Sequence, residues 1–135
     1  MRSLLRRHPG EVVCEITEHE AIADYPAFRA MVARLPSVRL AIDDVGAGFA
    51  SFRHILELRP AFVKLDRSLV AGIDGDPVRR ELIGSIGAFV QSAGGRLIAE
   101  GVETDAELVT LRELDVPIGQ GYLLGRPAPV AVEHA

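Results

Sequence analysis

Short apolar runs recur along the chain, and each ends at a polar residue that can hold a metal or a proton. The runs are Val12-Val13-Cys14 before Glu15, Leu40-Ala41-Ile42 before Asp43-Asp44, Ala61-Phe62-Val63 before Lys64, Leu97-Ile98-Ala99 before Glu100 and, more weakly, Val116-Pro117-Ile118-Gly119 before Gln120. Runs this short, β-branched and bounded by turn or helix signals, are typical of buried parallel strands rather than amphipathic helices. The pattern therefore predicts five strands whose carboxyl ends carry polar side chains.

Helical patterns separate the predicted strands. The most regular begins at Asp76, which can cap it, has Pro77 at its first position, and ends at Gly94-Gly95. The other predicted helices are a shorter one opened by the capping box Thr104-Asp105-Ala106-Glu107, and two over residues 27–35 and 51–58. This strict alternation predicts parallel strands joined by helical crossovers.

Two architectures share this alternation: an open doubly wound sheet and part of a (β/α) barrel. The chain has 135 residues, whereas a whole barrel usually needs about 250. Five units make either a complete small sheet or rather more than half of a barrel. In both architectures the carboxyl ends of the strands form the ligand site, so the polar side chains should meet at one rim.

Composition limits the range of functions. With 48% hydrophobic and 25% charged residues, the chain is predicted to be one globular domain over residues 1–135, and its net charge of −4 argues against a broad DNA-binding surface. Its single cysteine, Cys14, fits a reducing compartment, and its place in a strand predicts a packing residue rather than a nucleophile. No apolar stretch reaches the roughly 18 residues of a membrane span, so we expect a cytoplasmic protein without membrane contact, unless it is cut from a larger anchored one.

The acidic residues at the predicted rim are Glu15, Asp43, Asp44 and Glu100. Their hard oxygen atoms are ligands that Mg²⁺, Mn²⁺ or Ca²⁺ prefers, and a bound cation would relieve their mutual repulsion. Two such ions could activate water and stabilise the leaving oxygen of a phosphodiester. Lys64 would then orient the water or balance developing charge.

Simpler interpretations exist for single residues. Asp44 or Glu103 taken alone is equally well explained as a helix cap, and Gly46 and Gly48 as ordinary turn glycines. Lys64 alone would be a solvated charge, but its place directly after a buried strand favours a functional role. The histidines show no ligand spacing and are predicted to lie at the surface; they are His8, His19, His54 and His134.

A phospho-acceptor receiver domain also combines an acidic pair with a lysine. There the pair follows the first strand, a phosphorylated aspartate the third, and the lysine the fifth. Here Asp43-Asp44 follows the second predicted strand and Lys64 the third. The order of the elements therefore excludes the receiver interpretation.

Five motifs together resemble the EAL family of bacterial cyclic di-GMP phosphodiesterases. They occur in the family's order, within residues 11–129. The motifs are Glu15-Ile16-Thr17-Glu18, Asp43-Asp44-Val45-Gly46-Ala47-Gly48-Phe49, Lys64-Leu65-Asp66-Arg67-Ser68, Ala99-Glu100-Gly101-Val102-Glu103-Thr104, and Gly119-Gln120-Gly121-Tyr122 with Pro127.

The resemblance implies a partial TIM barrel, made of about five carboxyl-terminal strand units, that uses Mg²⁺ or Mn²⁺ to open cyclic di-GMP into pGpG. It also implies a role for each matching residue. Glu15, Asp43 and Asp44 would be metal ligands, and Lys64 would place the attacking water. Glu100 would be a second-metal ligand or general base, and Gln120 would contact the metal site or nucleotide. Glu18 and Glu103 would support the rim and its loop.

The family's Glu-Ala-Leu segment, whose glutamate is a metal ligand, has no counterpart here, nor has the metal-binding asparagine of the following strand. Both precede the position of Met1, and Leu4-Leu5, closed by Pro9-Gly10, resembles the last turns of a helix. We therefore expect a missing N-terminal segment or a homo-oligomer that covers the open sheet edges, and an isolated chain that is inactive or weak. The alternative is a non-catalytic module that binds cyclic di-GMP or another protein.

Overall fold

The computed structural model describes residues 12–17, 20–46, 50–116 and 118–121. Within these ranges strands and helices alternate. The elements are β1 (Val12–Ile16), α1 (Tyr25–Ala33), β2 (Val38–Val45), α2 (Ala50–Leu58), β3 (Phe62–Leu65), α3 (Arg67–Val70), a 3-10 helix (Ile73–Gly75), α4 (Pro77–Ser92), β4 (Arg96–Ala99), α5 (Asp105–Glu113) and β5 (Ile118–Gly119). The predicted strand-and-helix order is confirmed.

All the strand pairs of the described sheet are parallel, and the strands lie in the order β1-β2-β3-β4-β5. A doubly wound sheet instead reverses its strand order at a switch point. An order that follows the sequence without reversal winds in one direction, as in a (β/α) barrel. The partial TIM barrel predicted from the resemblance is therefore the observed architecture.

The core lies on one face of this sheet. Alternate strand residues belong to it; they are Cys14, Ile16, Leu40, Ile42, Val63, Leu65, Leu97 and Ala99. Helical residues such as Ile55, Ile83 and Leu111 pack against them. Since successive side chains of a strand point to opposite faces, the residues between these core positions lie on the other face. The helices thus cover one face and leave the second for other groups.

Local capping explains where most helices begin. The side chain of Asp24 accepts a hydrogen bond from the Ala27 N–H at α1, and Asp76 does the same for Arg79 at α4. The predicted capping box at α5 is present in both directions. The sequence prediction omitted α3, a four-residue helix that Asp66 caps. No helix in the described part of the chain combines the length and apolar character that a membrane span requires.

The prediction of a surface position is wrong for His54, which is 3% exposed. Its Nε2 lies 3.1 Å from the Glu20 carbonyl oxygen, and its Nδ1 lies 2.9 Å from the Tyr25 hydroxyl. A carbonyl can only accept, so Nε2 carries the proton and Nδ1 accepts from Tyr25 in the neutral ring. The histidine thus joins α2 to the segment that precedes α1. The other three histidines, and the Leu4-Leu5 segment, lie outside the described residues.

Candidate metal centre

The strand register places four predicted site residues on the face opposite the helices. Glu15 pairs with Ala41, two residues before Asp43 on the same face. Ala41 pairs with Phe62, which shares its face with Lys64, and Lys64 pairs with Ile98, two residues before Glu100. Because parallel strands end at the same edge, the side chains of Glu15, Asp43, Lys64 and Glu100 converge at one rim.

Asp43 and Asp44 are consecutive, so regular strand geometry would turn their side chains to opposite faces. The pairing of β2 with β3 is irregular between Ile42 and Val45, and Asp44 has a left-handed φ of +54°. Aspartate tolerates this conformation better than most residues do. The Asp44 N–H donates to Asp43 Oδ1 at 2.9 Å. The irregularity lets both carboxylates reach the same rim.

Lys64 lies at the centre of the acidic group. Its Nζ is 2.8 Å from Glu15 Oε1, 2.9 Å from Glu100 Oε1 and 3.8 Å from Asp43 Oδ1. The lysine side chain is 11% exposed, whereas that of Glu15 is 46% exposed. Burial lowers the pKa of Lys64, but the hydrogen bonds with Glu15 and Glu100 and the nearby negative charge outweigh it, so the pKa is raised. Lys64 therefore stays charged.

The surroundings of Glu100 disfavour its charged form, whereas those of Lys64 favour it. Burial raises its pKa, the hydrogen bond and charge of Lys64 lower it, and the negative charges of Asp43 and Asp44 raise it again, so that the pKa is raised overall. The charged form of this carboxylate is therefore disfavoured, first by burial and then by Asp43 and Asp44, despite its lysine partner. One lysine charge cannot neutralise the four carboxylates of this rim.

Three carboxylates form a compact group on the described rim. One oxygen each from Asp43, Asp44 and Glu100 lies within 4.8 Å of the others, and all three residues are half-buried. Such a set of hard oxygen atoms fits a divalent cation like Mg²⁺ or Mn²⁺, whose charge would also relieve the repulsion at Glu100. Glu15 is not part of this compact group and contacts Lys64 instead.

The remaining predicted residues differ in their positions. Gln120 follows β5 and is exposed, and its N–H donates to the Ala99 carbonyl at 2.8 Å. Glu103 lies at the edge of the rim, where it accepts a hydrogen bond from Arg67 at 2.9 Å. Glu18 lies outside the described residues. The structure thus gathers Glu15, Asp43, Asp44, Lys64 and Glu100, with Gln120 and Glu103 on adjoining loops.

Sequence reasoning identified Glu107 only as part of a helix cap. The structure also brings its carboxylate to the Gly72 N–H, at 2.8 Å. The two residues are 35 positions apart. The capping box signalled the local contact, but no periodicity or spacing in the sequence signals the distant one.

Comparison with known proteins identifies the family to which the chain belongs. The model of the EAL domain matches residues 2–127. The probable cyclic di-GMP phosphodiesterase PdeD of Escherichia coli K12 is 40% identical over 124 residues, which cover 91% of this chain and 23% of PdeD. The chain therefore spans less than a quarter of the length of this curated relative.

Solved structures of EAL proteins are similar to this chain as well. The EAL domain of Mycobacterium smegmatis DcpA superposes with a TM-score of 0.79 at 33% identity, covering 87% of this chain and 54% of that one. The manganese and cyclic di-GMP complex of Klebsiella pneumoniae BlrP1 superposes with a TM-score of 0.76 at 29% identity, covering 91% of this chain and 36% of that one. A structure similar to this chain thus contains both a divalent metal and the dinucleotide.

Proposed function

The chain belongs to the EAL domain family, and from that premise we propose that it forms the carboxyl-terminal part of a phosphodiesterase domain that hydrolyses cyclic di-GMP to pGpG. The observation that carries this proposal is the compact group of Asp43, Asp44 and Glu100 beside the charged Lys64. Similarity to phosphodiesterases of the same family supports the choice of substrate.

Asp43, Asp44 and Glu100 would hold a divalent cation, which we assign as Mg²⁺ or Mn²⁺ because the donor set consists of hard carboxylate oxygens. The cation would supply positive charge to a phosphodiester and lower the barrier to attack by water. Glu15 contacts Lys64 and is not part of this group, so its assignment as a further ligand rests on the family resemblance alone. An acidic rim could then receive an anionic substrate.

Lys64 would orient the attacking water. Its ammonium group is held by Glu15 and Glu100 and has a third donor hydrogen available for another acceptor. Water would add its hydroxyl to phosphorus, the bond to the 3′ oxygen would break, and the proton would pass to that leaving oxygen. Glu100, whose carboxylate lies 2.9 Å from Lys64 Nζ, is the group that we assign to accept the proton in transit.

Gln120 would contact the nucleotide or the metal site from the end of β5, and Glu18 and Glu103 would support the rim. Two ligands implied by the family, the Glu-Ala-Leu glutamate and the following asparagine, are absent from these 135 residues. We therefore propose that turnover requires the other half of the barrel, supplied by a longer form of the protein or by a different chain that carries these ligands. A second copy of this chain could cover the open sheet edges but would not supply the two ligands. A cytoplasmic location is part of the same proposal.

The test is incubation of the chain with cyclic di-GMP and saturating Mn²⁺, with and without a separately expressed amino-terminal half of an EAL domain. Chromatography should detect pGpG when the complementing half is present, and Lys64→Ala or Glu100→Gln should abolish it. Glu113→Gln, which alters an exposed carboxylate paired with Arg80, is the matched control. Absence of pGpG under both conditions would contradict the proposed activity.

A non-catalytic binding module is the second candidate, because the sequence lacks two of the implied ligands. A rim with fewer ligands can still hold nucleotide or metal without turnover. Calorimetry with cyclic di-GMP and Mn²⁺ separates the two candidates: binding without pGpG formation in the complemented protein favours the module. A lack of binding to either ligand would leave an interaction with another protein as the only remaining form of this candidate.

A further inference from the structure

The loop that follows β4 carries Glu100 and is held by its backbone at several points. The Glu100 N–H donates to the Leu65 carbonyl at 3.2 Å, and the Val102 N–H donates to the Gln120 carbonyl at 3.0 Å. The next two amides, of Glu103 and Thr104, donate to Glu107 Oε1 at 3.0 and 3.1 Å. A single side chain therefore holds the end of this loop.

Glu107 also reaches a second loop. Its other oxygen, Oε2, accepts a hydrogen bond from the Gly72 N–H at 2.8 Å, in the turn after α3. That turn closes the segment that follows Lys64 in the sequence. The carboxylate therefore joins the loop after β4, the strand that leads to Glu100, to the segment 66–76 that follows β3, the strand that carries Lys64.

The environment of Glu107 suits an ionised carboxylate with fixed partners. The residue is 5% exposed. Burial raises the pKa of Glu107. The hydrogen bonds from the backbone amides of Gly72, Glu103 and Thr104 lower it by more, so the pKa is lowered overall. A carboxylate has two oxygen atoms that accept and none that donates, which matches three amide donors. A neutral amide side chain cannot satisfy all three.

The two joined segments are closely packed. Gly101 has a left-handed φ of +73°, and a Cβ atom there would lie 2.6 Å from the Cβ of Arg67. Arg67 in turn donates to Glu103 between the two segments at 2.9 Å. The Arg67 and Glu103 side chains are exposed, whereas the Glu107 carboxylate that joins the same segments is buried.

We propose that Glu107 is a positioning residue for the candidate site. It acts through the backbone of residues 101–104 and through Gly72 to fix the carboxylate of Glu100 relative to Lys64. Its link to metal binding rests on the proposed function. A helix cap alone would explain the contacts with Glu103 and Thr104, but it would not require the contact with Gly72.

Thr104→Val provides a matched control. The Thr104 hydroxyl accepts from the Glu107 N–H at 3.1 Å, so this variant removes the other half of the same capping box. It leaves the Glu107 carboxylate and Gly72 in place. Glu107→Gln instead weakens the hydrogen bonds of residue 107 with the amides of Gly72, Glu103 and Thr104. Comparing the two separates loss of a helix cap from loss of the inter-loop contact.

The experiment is amide hydrogen exchange of the metal-free chain followed by NMR, in wild type, Glu107→Gln and Thr104→Val. Glu107→Gln should accelerate exchange at Glu100 and Val102 by about tenfold more than Thr104→Val does, although Glu107 contacts neither amide. It should also weaken Mn²⁺ binding by about tenfold or more, the usual cost of removing a residue that orients a metal ligand.

If the acceleration in Glu107→Gln is confined to Gly72, Glu103 and Thr104, and Mn²⁺ affinity equals that of Thr104→Val, the proposal is overturned. If wild type binds no Mn²⁺ but exchange at Glu100 and Val102 accelerates, the metal site fails and the positioning of the loop stands. Glu107→Asp is the second variant if the glutamine form does not fold. It keeps a carboxylate for the Glu103 and Thr104 amides but is one methylene shorter, so Gly72 should lose protection first.

Discussion

The two faces of the sheet differ in what they bury. On the helix-covered face, Ile42, Val63 and Leu65 are all fully buried and apolar. On the opposite face, Val13 is 46% exposed, and Lys64 is surrounded by carboxylates at its edge. Hydrophobic burial stabilises the first face, whereas the second combines buried apolar residues such as Ala41 and Ile98 with a group of like charges at one edge. The difference agrees with the proposal that the edge of the second face carries the site.

The two faces also differ below the rim. Arg39 places its guanidinium 4.9 Å from the centre of the Phe62 ring, and Arg96 is the register partner of Phe62 on the next strand. A closed barrel fills its interior with branched apolar side chains. This face therefore combines charged groups at the amino-terminal ends of β2 and β4 with the apolar residues Val13, Ala41, Phe62 and Ile98 below the acidic rim. It is the face that a complementing half-barrel would cover.

The largest effect is expected at the rim. Asp43→Asn or Glu100→Gln should weaken Mn²⁺ binding by at least about 100-fold, because each removes a charged oxygen from a group of three. Calorimetry on the intact chain measures this, with Glu113→Gln as the control. Equal affinity in all variants would mean that the polar face is not a metal site.

The contrast between the faces can be tested with the same substitution on each. Val63→Ala should lower the free energy of unfolding by about 2 kcal/mol, since it removes two methyl groups from a fully buried position. Val13→Ala, at a position 46% exposed, should change it by no more than about 0.5 kcal/mol. Urea denaturation gives both values. Similar losses would show that the second face carries core packing as well.

The burial of Glu100, together with its repulsion by Asp43 and Asp44, should make the stability of the fold depend on pH. The pKa of Glu100 is raised in the folded protein, so its protonation stabilises the fold; this contribution is complete below the unfolded value of about 4.5 and is lost as pH rises through the folded value. Without metal, Glu100→Gln should therefore melt at a higher temperature than wild type at pH 7, and the gap should shrink toward pH 4. A wider gap at pH 4 would contradict this assignment.

A smaller effect is expected within the helical layer. Tyr25→Phe removes the hydroxyl that donates to Nδ1 of the buried His54, which leaves the ring nitrogen without that partner. The free energy of unfolding should fall by about 1 kcal/mol, with no change in Mn²⁺ affinity. Chemical denaturation and calorimetry check the two expectations. A change in metal affinity would mean that the two faces are coupled through α2.

The fold was largely predictable because its signals are local. The apolar runs identified the strands, and Asp76 and the Thr104 box identified helix starts, since hydrophobic periodicity and capping act within a few residues. The four-residue helix α3 was missed because it carries no periodic stripe. His54 was misplaced because a buried histidine is defined by partners at Glu20 and Tyr25, 34 and 29 residues away.

The convergence of the candidate site residues was predictable, but its geometry was not. The strand-end positions predicted that Glu15, Asp43, Asp44, Lys64 and Glu100 would lie close together, and the structure brings them to one rim. The sequence did not reveal that the irregularity of β2 turns Asp44 to the same rim, or that Lys64 separates Glu15 from the compact carboxylate group. Both depend on the register between strands, which no single strand encodes.

The most direct test of the central claim is anomalous diffraction at the manganese edge from a crystal of the chain soaked in Mn²⁺. We expect a peak at coordinating distance from the carboxylate oxygens of Asp43, Asp44 and Glu100, and loss of that peak in Asp43→Asn. A crystal with manganese bound elsewhere and none at these three side chains would contradict the assignment of this rim as a metal site.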